Sequence, residues 1–576
     1  MPRSLFWLAL LCHVVLALGY ARTTPSFEGP DESDHYAYAW HVGNARSLPL
    51  APALVAARGL PQTDGTPLAH HPPLYYALLG AALVASGHDD TVFGPRINPA
   101  FGVPEQPSRH LKYLHGSGQG DAALLLLRCV SVLLGALTLL CVHRLGRALC
   151  PTQPRIADLA ALLVACLPMF SFLHGVLNND VLATTLATAT TLALVRVLQA
   201  DALRLSHGIS LGGLLGLSLL TKLTTLFLLP LAAVVFVVVL VRARANGQLA
   251  RTVAIGGLAL AIATALSGWW FVRNAQLYGD PLALAVHDLA FQPIPPELRW
   301  AWWSGTFLPD VFVSLLGCFG WFSLRPPALL VGIGLGVAAI ALLGLLLALR
   351  THERRGAAPC APRTPWLLLL SLLLVFAGAA KFNWTAPQPQ ARLLFPAIGP
   401  AVVLLAAGLV RLAPRARWRR WLLALPIATA AVVFFAWFRP AFAPQLAPAP
   451  ANHRALTGGI VPAPTSPPPT IVWQQPLPPS PASTPPVLHW RDDGAPAGTR
   501  YSLYAFDGNG RVWLASHEWG GDGLVLSGER AELPAPAWGL LPVGVDLSLV
   551  LRRVPTTADE DPATMPRSAP LPFRRQ

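Results

Sequence analysis

The run Gly29-Pro30-Asp31-Glu32-Ser33-Asp34-His35-Tyr36-Ala37-Tyr38 follows closely on an apolar segment, Leu5 to Ala21, and that succession decides how the chain is read. Asp31, Glu32, Asp34 and His35 crowd ionisable groups against the end of an apolar helix, where an ionised side chain without a partner costs several kcal/mol. Pro30 suits the first turn of a new helix, on which Asp31 and His35 share a face at i,i+4 spacing and Glu32 lies above Tyr36. The acids then stand at the positive end of the helix dipole. Taken alone the run reads equally as an acidic helix cap, so the rest of the chain decides.

Apolar residues make up 53% of the 576-residue chain and charged residues 12%, which excludes a soluble enzyme and places it among polytopic membrane proteins. The formal charge of +14 comes from arginine, because the lysines are Lys112, Lys222 and Lys381 alone. Most arginines lie in short loops between apolar segments, where they set topology; no nucleic-acid motif is present and nucleic acid is not expected as a partner. The 7 cysteines form no CxxC pair and read as small buried hydrophobes.

Arg3 and the apolar run after it resemble a signal peptide, but cleavage would release the acidic loop's anchor, so the run is read as a retained first helix. The outer loop of residues 22–121 follows, with His70-His71-Pro72-Pro73-Leu74-Tyr75-Tyr76 leading into an apolar piece that ends near Ser86. If that piece crossed, the loop holding Arg144, Arg147 and Arg155 would fall opposite Arg3, so it is expected to be interfacial or re-entrant. Spans are expected at about 122–149, 157–176, 180–200, a pair over 207–242, then 252–273, 327–350, 365–383, 394–412 and 419–438. With the first helix these make about eleven. The apolar run from Gly208 to Val241 would be roughly 50 Å as one helix against a hydrocarbon core of about 30 Å, which predicts a hairpin with Thr221-Lys222-Leu223-Thr224-Thr225 at its tip. The arginine-bearing loops then share the cytoplasmic face with the N-terminus.

The membrane domain is therefore read as residues 1–440, followed by a proline-rich linker, 441–485. A small β-sandwich-like module is expected over 486–556, built on the hairpin Tyr501–Phe506, Asp507-Gly508-Asn509-Gly510, Arg511–Leu514, with further strands at Gly523–Leu526 and Asp546–Leu551. An odd span count puts it outside the membrane on the extracytoplasmic side, and residues 557–576 read as a disordered tail.

On this topology several polar groups share the outer face with the acidic run. They are Asn178-Asn179-Asp180, Lys222, Trp269-Trp270-Phe271-Val272-Arg273-Asn274 with Tyr278-Gly279-Asp280-Pro281, and the segment from Lys381 to Gln390-Ala391-Arg392-Leu393-Leu394-Phe395-Pro396. Each has a bland reading as a helix cap, a snorkelling lysine or an interface anchor. Together they supply carboxylates that can act as a base and cations that can hold phosphate.

The motifs Pro30-Asp31-Glu32-x-x-His35, His71-Pro72-Pro73-Leu74-Tyr75-Tyr76, Asn179-Asp180, Thr221-Lys222, Arg273-Asn274 and Gln390 to Pro396 resemble the GT-C superfamily of membrane glycosyltransferases. That class includes protein O-mannosyltransferases and lipid A aminoarabinose transferases, and the resemblance spans about residues 1–440. It implies a mainly α, polytopic helical bundle and inverting transfer of a sugar from a polyprenyl-phosphate donor to an extracytoplasmic acceptor in the cell membrane. It also implies that Asp31 is the catalytic carboxylate with Glu32 and His35 in support. Asp180 would belong to a second acidic motif, and Lys222, Arg392, His71 and Arg273 would bind donor phosphate. Relatives carry lysine where His71 stands. No cofactor and no metal site is assigned, although a divalent ion held by Asp31, Asp34 and His35 is left open. The competing readings are a transporter or flippase for a lipid-linked glycan and a non-enzymatic envelope assembly protein.

Overall fold

The computed structural model describes residues 4–60, 64–88, 96–97, 111–114, 121–284, 299–355, 364–413, 416–442, 471–477, 485–496, 498–507, 512–515, 525–532, 546–553 and 568–575, with a few single positions between them. It is a helical membrane protein with a small C-terminal strand region. The first helix, α1 (Ser4–Thr23), packs on α5 (Asp121–Leu149), α6 (Pro154–Ala165) and α7 (Pro168–Leu173). Between α1 and α5 lie α2 (Glu32–Ala45), α3 (Pro52–Ala57), α4 (Leu74–Ser86) and a two-stranded ladder of β1 (Arg96–Ile97) and β2 (Tyr113–Leu114). Residues 87–120 of the outer loop lie mostly outside the described residues.

The apolar piece before Ser86 is a 13-residue helix, about 20 Å long and too short to cross a core of about 30 Å. It packs tightly on α2, where a Cβ on Gly80 would lie 2.8 Å from the Ala39 carbonyl oxygen and one on Gly43 would lie 2.9 Å from that of Gly80. Glycine at both positions lets the two backbones touch, which fixes α2, and with it the acidic run, against α4.

Of the roughly eleven expected spans, nine are helices long and apolar enough to cross, among the described residues. Of the other two, one is interrupted and one is short. Residues 157–176 form α6 and α7, because Pro168 has no N–H to continue the helix begun at Pro154. The run 207–242 breaks as predicted at Lys222, giving α9 (Leu205–Leu219), a 3-10 turn over Leu223–Phe227 and α10 (Leu228–Ala245). With 15 residues α9 is short, and it lies along α11 (Leu249–Tyr278) through Gly208, Gly212 and Gly216. A Cβ on Gly212 would stand 2.5 Å from the Ala259 carbonyl oxygen, so the two helices meet backbone to backbone.

The C-terminal strands form two sheets. One has β9 (Asp546–Arg553) at its centre with β10 (Leu571–Arg574) on one side and β5 (Arg500–Asp507) on the other, where β5 carries β6 (Val512–Ala515) and β7 (Val525–Ser527). The second joins β3 (Val472–Trp473), β4 (Val487–Arg491) and β8 (Arg530–Glu532). Leu488, Trp490, Tyr501, Leu503, Leu549 and Leu551 form their shared core. The predicted hairpin is present as β5 and β6, although its tip at 508–510 lies outside the described residues. Two boundaries shift. Strand β3 belongs to the module although it falls in the stretch read as linker. Strand β10 lies in the stretch read as a disordered tail, where alternating Leu571 and Phe573 point into the core and pair the strand to β9.

Candidate active site

Asp31 and Glu32 are adjacent, and the backbone turns them to opposite sides. Asp31 caps α2 with φ 58°, a left-handed conformation that costs a non-glycine residue free energy and persists only where the surroundings enforce it. What enforces it is visible at Glu32, whose fully buried carboxylate accepts from Arg128 Nε at 2.8 Å and Nη2 at 2.6 Å, from the Leu177 amide at 2.9 Å and from the Gly29 amide at 3.2 Å. Arg128 projects from the apolar face of α5 and also donates to the carbonyls of Ala21, Thr24 and Pro25. All five guanidinium N–H groups are thereby used, and one ion pair ties the end of α1, the acidic run and the loop before Asp180 to one point.

Asp31 faces the other way and meets Arg392, with Nη2 to Oδ2 at 2.6 Å. Arg392 sits in a 3-10 turn, Ala391–Ala397, and its Nε lies 4.0 Å from Oδ2 of Asp180 at the start of α8 (Asp180–Gln199). The other Asp180 oxygen accepts from Lys222 Nζ at 2.7 Å. Four segments distant in sequence thus contribute two carboxylates and two cations to one neutral chain, Asp31–Arg392–Asp180–Lys222. Accessibility separates the members: the Asp31 side chain is 28% exposed, whereas that of Asp180 is 1% and that of Glu32 is 0%. Of these three carboxylates Asp31 is the one a substrate can reach.

Beside this chain stands a second line. The Tyr76 hydroxyl lies 2.9 Å from Nδ1 of His35 and 2.9 Å from Nδ1 of His71, and Nδ2 of Asn179 reaches the same His71 nitrogen at 3.2 Å. Tyr38 stacks flat on Tyr76 with ring centroids 3.7 Å apart, and its hydroxyl donates to the His71 carbonyl. The predicted contact between Asp31 and His35 is made by backbone, His35 N to Asp31 O at 2.9 Å, while the imidazole is given to Tyr76. Three buried oxygens here, Asn178 Oδ1, Asn179 Oδ1 and Asp180 Oδ2, have no hydrogen-bond partner among the described residues, so the site is built with polar capacity in reserve.

Protonation follows the surroundings. Burial pushes the Asp31 carboxyl up, but Arg392, His35 and Lys112 outweigh it and hold the group below its ordinary value. Burial and then the Asp31 charge raise Asp34 to about 6. Burial lowers His35 to about 3 and His71 well below its usual range, so both rings are neutral at pH 7.

At the rim, Glu28 accepts from the amides of Lys112 and Tyr113, the Tyr113 hydroxyl meets Ser33, and the Lys112 ammonium lies 3.6 Å over the Trp321 ring. Glu28, Arg128 and Trp321 stand in no motif of the sequence, Lys112 is marked there only as one of three lysines, and Tyr76 only as part of the His70–Tyr76 run. A signal existed for Arg128, an arginine inside an apolar run that needs an internal partner. Arg273 stays apart from the charge chain: it lies 5.1 Å over the Trp270 ring and donates to Asn274 Oδ1 and the Pro49 carbonyl, anchoring the outer loop. Among the described residues no three His, Cys, Asp or Glu side chains are grouped to hold a metal ion, since Asp31 is taken by Arg392 and the His35 Nδ1 by Tyr76.

Residues 120–270 match the model of the dolichyl-phosphate-mannose-protein mannosyltransferase family. The chain is similar in structure to ArnT from Cupriavidus metallidurans bound to undecaprenyl phosphate, at 14% identity and a TM-score of 0.44 over 77% of this chain and 74% of that one. It is also similar to the oligosaccharyltransferase AglB from Archaeoglobus fulgidus in complex with an inhibitory peptide and a dolichol-phosphate, at 13% identity and a TM-score of 0.41 over 76% and 55% of the two chains. The S. cerevisiae protein O-mannosyltransferase complex Pmt1-Pmt2 bound to its sugar donor gives 16% identity and a TM-score of 0.30 over 51% and 36%. Curated proteins give no match. Such scores leave the site to be read from this chain's own residues. The family match covers residues 120–270 and speaks for that stretch of the chain.

Proposed function

We propose that this chain is an integral membrane glycosyltransferase that moves a sugar from a polyprenyl-phosphate donor to an extracytoplasmic acceptor, with inversion at the anomeric carbon. The observation that carries the reading is the neutral chain Asp31–Arg392–Asp180–Lys222, which joins its more exposed carboxylate directly to a cation suited to phosphate. Arg392 and Lys222 bind the donor phosphate, and His71 beside Lys222 and Arg392 adds a neutral hydrogen-bonding group. Asp31 takes the proton of the acceptor hydroxyl as that oxygen attacks opposite the phosphate, and the cations stabilise the phosphate as it leaves.

The Asp31–Arg392 contact gives this reaction an order. While Arg392 holds Asp31, the carboxylate is a weak base; when a donor phosphate draws the guanidinium to itself, the stabilisation of the ionised form falls and basicity rises. The base is therefore strongest only with donor in place. Glu32 serves as the positioning neighbour, and Arg273 as an anchor of the outer loop. The N-terminus is assigned to the cytoplasm and the β module to the extracytoplasmic side of the cell membrane, where the acceptor is a cell-envelope glycan, lipid or protein.

The test is reconstitution of the purified protein in liposomes with a set of undecaprenyl-phosphate-linked pentoses and hexoses and an extract of envelope acceptors. Release of undecaprenyl phosphate with inverted configuration in the product supports the reading. Movement of intact donor across the bilayer without cleavage refutes it in favour of a flippase.

A further inference from the structure

At the end of the bundle away from the acidic run, a cavity of about 160 Å³ lies between the residues just past α8, the last turn of α10 and the first turn of α11. With 20 residues α8 runs about 30 Å from Asp180 to this end, so the cavity lies at the opposite membrane face from the charge chain. Its polar lining is Asp201, Arg242, Asn246, Gln248 and Thr252, and no aromatic ring lines it among the described residues. Three features bring donors to it. Arg242 is held there by its Nη2, which donates to the Leu198 carbonyl at 2.7 Å. Gln248 stands at the N-cap of the 30-residue α11 with no side-chain cap, so the amides of the first turn have no acceptor within the helix and the positive end of its dipole favours an anion. Thr252 is 2% exposed, and its hydroxyl has no hydrogen-bond partner among the described residues yet is not one of the enclosed orphan oxygens, so it opens on the cavity. The opposite charge comes from Asp201, which has no ion pair among the described residues. One arginine and one aspartate leave the lining without net charge.

We propose that this cavity binds the headgroup of one phosphatidylethanolamine molecule from the surrounding bilayer. The phosphodiester lies on Arg242, the Thr252 hydroxyl and the first amides of α11, and the ammonium lies on Asp201. Size allows it, since a cavity of about 160 Å³ is large enough to take a ligand such as benzene. Charge selects it: a neutral lining that carries both signs matches a zwitterion, whereas an anionic headgroup would leave Asp201 facing like charge. Choline fits worse, because a quaternary ammonium has no N–H for the Asp201 carboxylate and the aromatic rings that hold such a group are missing from the lining. Val241, Leu249 and Val253, chain neighbours of the lining residues, are exposed apolar side chains along which the acyl tails can run, and this favours a lipid over a soluble phosphate. The site also has a place in the architecture. Helix α8 starts at Asp180, α10 starts after the turn that follows Lys222, and both end at this cavity, so a bound headgroup fastens the far ends of the two helices whose near ends bring those residues together.

The test is native mass spectrometry of the full-length protein, equilibrated in detergent with equal amounts of phosphatidylethanolamine, phosphatidylglycerol and phosphatidylcholine of one acyl composition. Wild type should retain one phosphatidylethanolamine per chain in preference to the other two. Asp201→Asn should keep a phospholipid but lower that preference by roughly 3–5-fold, the scale of one solvent-accessible ion pair. Arg242→Gln should weaken retention of all three lipids by about 10-fold, the scale of a lost hydrogen bond to a charged group. Thr252→Val removes a donor beside it and should weaken retention by roughly 5-fold, which keeps the test decisive if Arg242→Gln folds poorly. Soluble O-phosphoethanolamine at the same concentration should not displace the lipid. Equal retention of the three lipids, a preference for phosphatidylglycerol, an unchanged preference in Asp201→Asn, or unchanged retention in the folded Arg242→Gln or Thr252→Val variant overturns the proposal. Displacement by O-phosphoethanolamine overturns it in favour of a soluble phosphate ligand. None of these readouts depends on turnover, so the result stands apart from the transfer reading.

Discussion

Two buried ion-pair clusters lie on either side of the step from Asp31 to Glu32, and they are built on opposite plans. At Glu32–Arg128 every guanidinium N–H has an acceptor and the carboxylate takes four N–H groups. At Asp31–Arg392–Asp180–Lys222, among the described residues, one oxygen of Asp180 is without a hydrogen bond and two asparagine oxygens nearby are unpartnered, and Asp31 is open to solvent. A saturated cluster has nothing left to offer a ligand, so its role is to hold backbone. An unsaturated one keeps free donors and acceptors at a cost to the resting fold, and that cost is expected where a ligand completes the set.

The sharpest way to break this contrast is at the two adjacent acids. Asp31→Asn keeps the shape but removes the base, and transfer should fall by ~10²–10⁴-fold while the protein stays folded and binds donor. Single-turnover kinetics on the reconstituted protein measures it; near-normal chemistry in Asp31→Asn, or a deeper loss of chemistry in Glu32→Gln measured per folded molecule, would reverse the two roles.

The next effect belongs to stability. Arg128→Met leaves the fully buried Glu32 carboxylate without its counter-charge, which costs about 3–5 kcal/mol. Thermal unfolding in detergent should show it, and Arg128→Lys should recover little, since one ammonium cannot meet three carbonyls and a carboxylate at once. A variant as stable as wild type would mean that Glu32 is not a pinned anchor.

How much of this was legible in the sequence follows from the same contrast. The broad architecture was, because long apolar runs, arginine-bearing loops and the break at Lys222 are local properties. The charge chain was legible in its membership, as Asp31, Asp180, Lys222 and Arg392 each stand out against apolar surroundings, but not in its wiring, since the pairing of positions 361 residues apart is set by how helices pack. The surroundings of Glu32 and Arg273 were hidden for that reason: a carboxylate in an acidic run, or an arginine near an outer loop, has the same sequence signature whether it faces the cleft or the scaffold. Strand β10 was missed because four residues of a polar, proline-containing tail become a strand only when a neighbour supplies the ladder.

Donor affinity tests the unsaturated cluster from the cationic side. Arg392→Ala or Lys222→Ala should weaken binding of an undecaprenyl-phosphate-linked sugar by about 1.5–3 kcal/mol, the range for hydrogen bonds to charged groups. Equilibrium binding to the liposome-embedded protein reads this directly. Unchanged affinity in both variants would leave the cations as partners of Asp31 and Asp180 alone.

The smallest effect concerns Asp34, half-buried on the open side and raised from 3.8 to about 6 by burial and by the charge of Asp31, with Lys112 opposing. Between those values the folded protein keeps a proton that the unfolded chain has released. The stabilising contribution of protonated Asp34 is thus full below about pH 3.8 and is lost as the pH rises through about 6. His35 works against this, because its folded value of about 3 lies below 6.5; its contribution is present above 6.5 and is lost as the pH falls toward 3. The pH dependence of unfolding in wild type therefore sums two opposed trends. Comparing wild type with Asp34→Asn removes the His35 part, and the variant should gain relative stability as the pH rises from 4 to 7. A flat difference over that range would mean that Asp34 titrates as in water, and the open side would then owe its character to Asp31 and its cations alone.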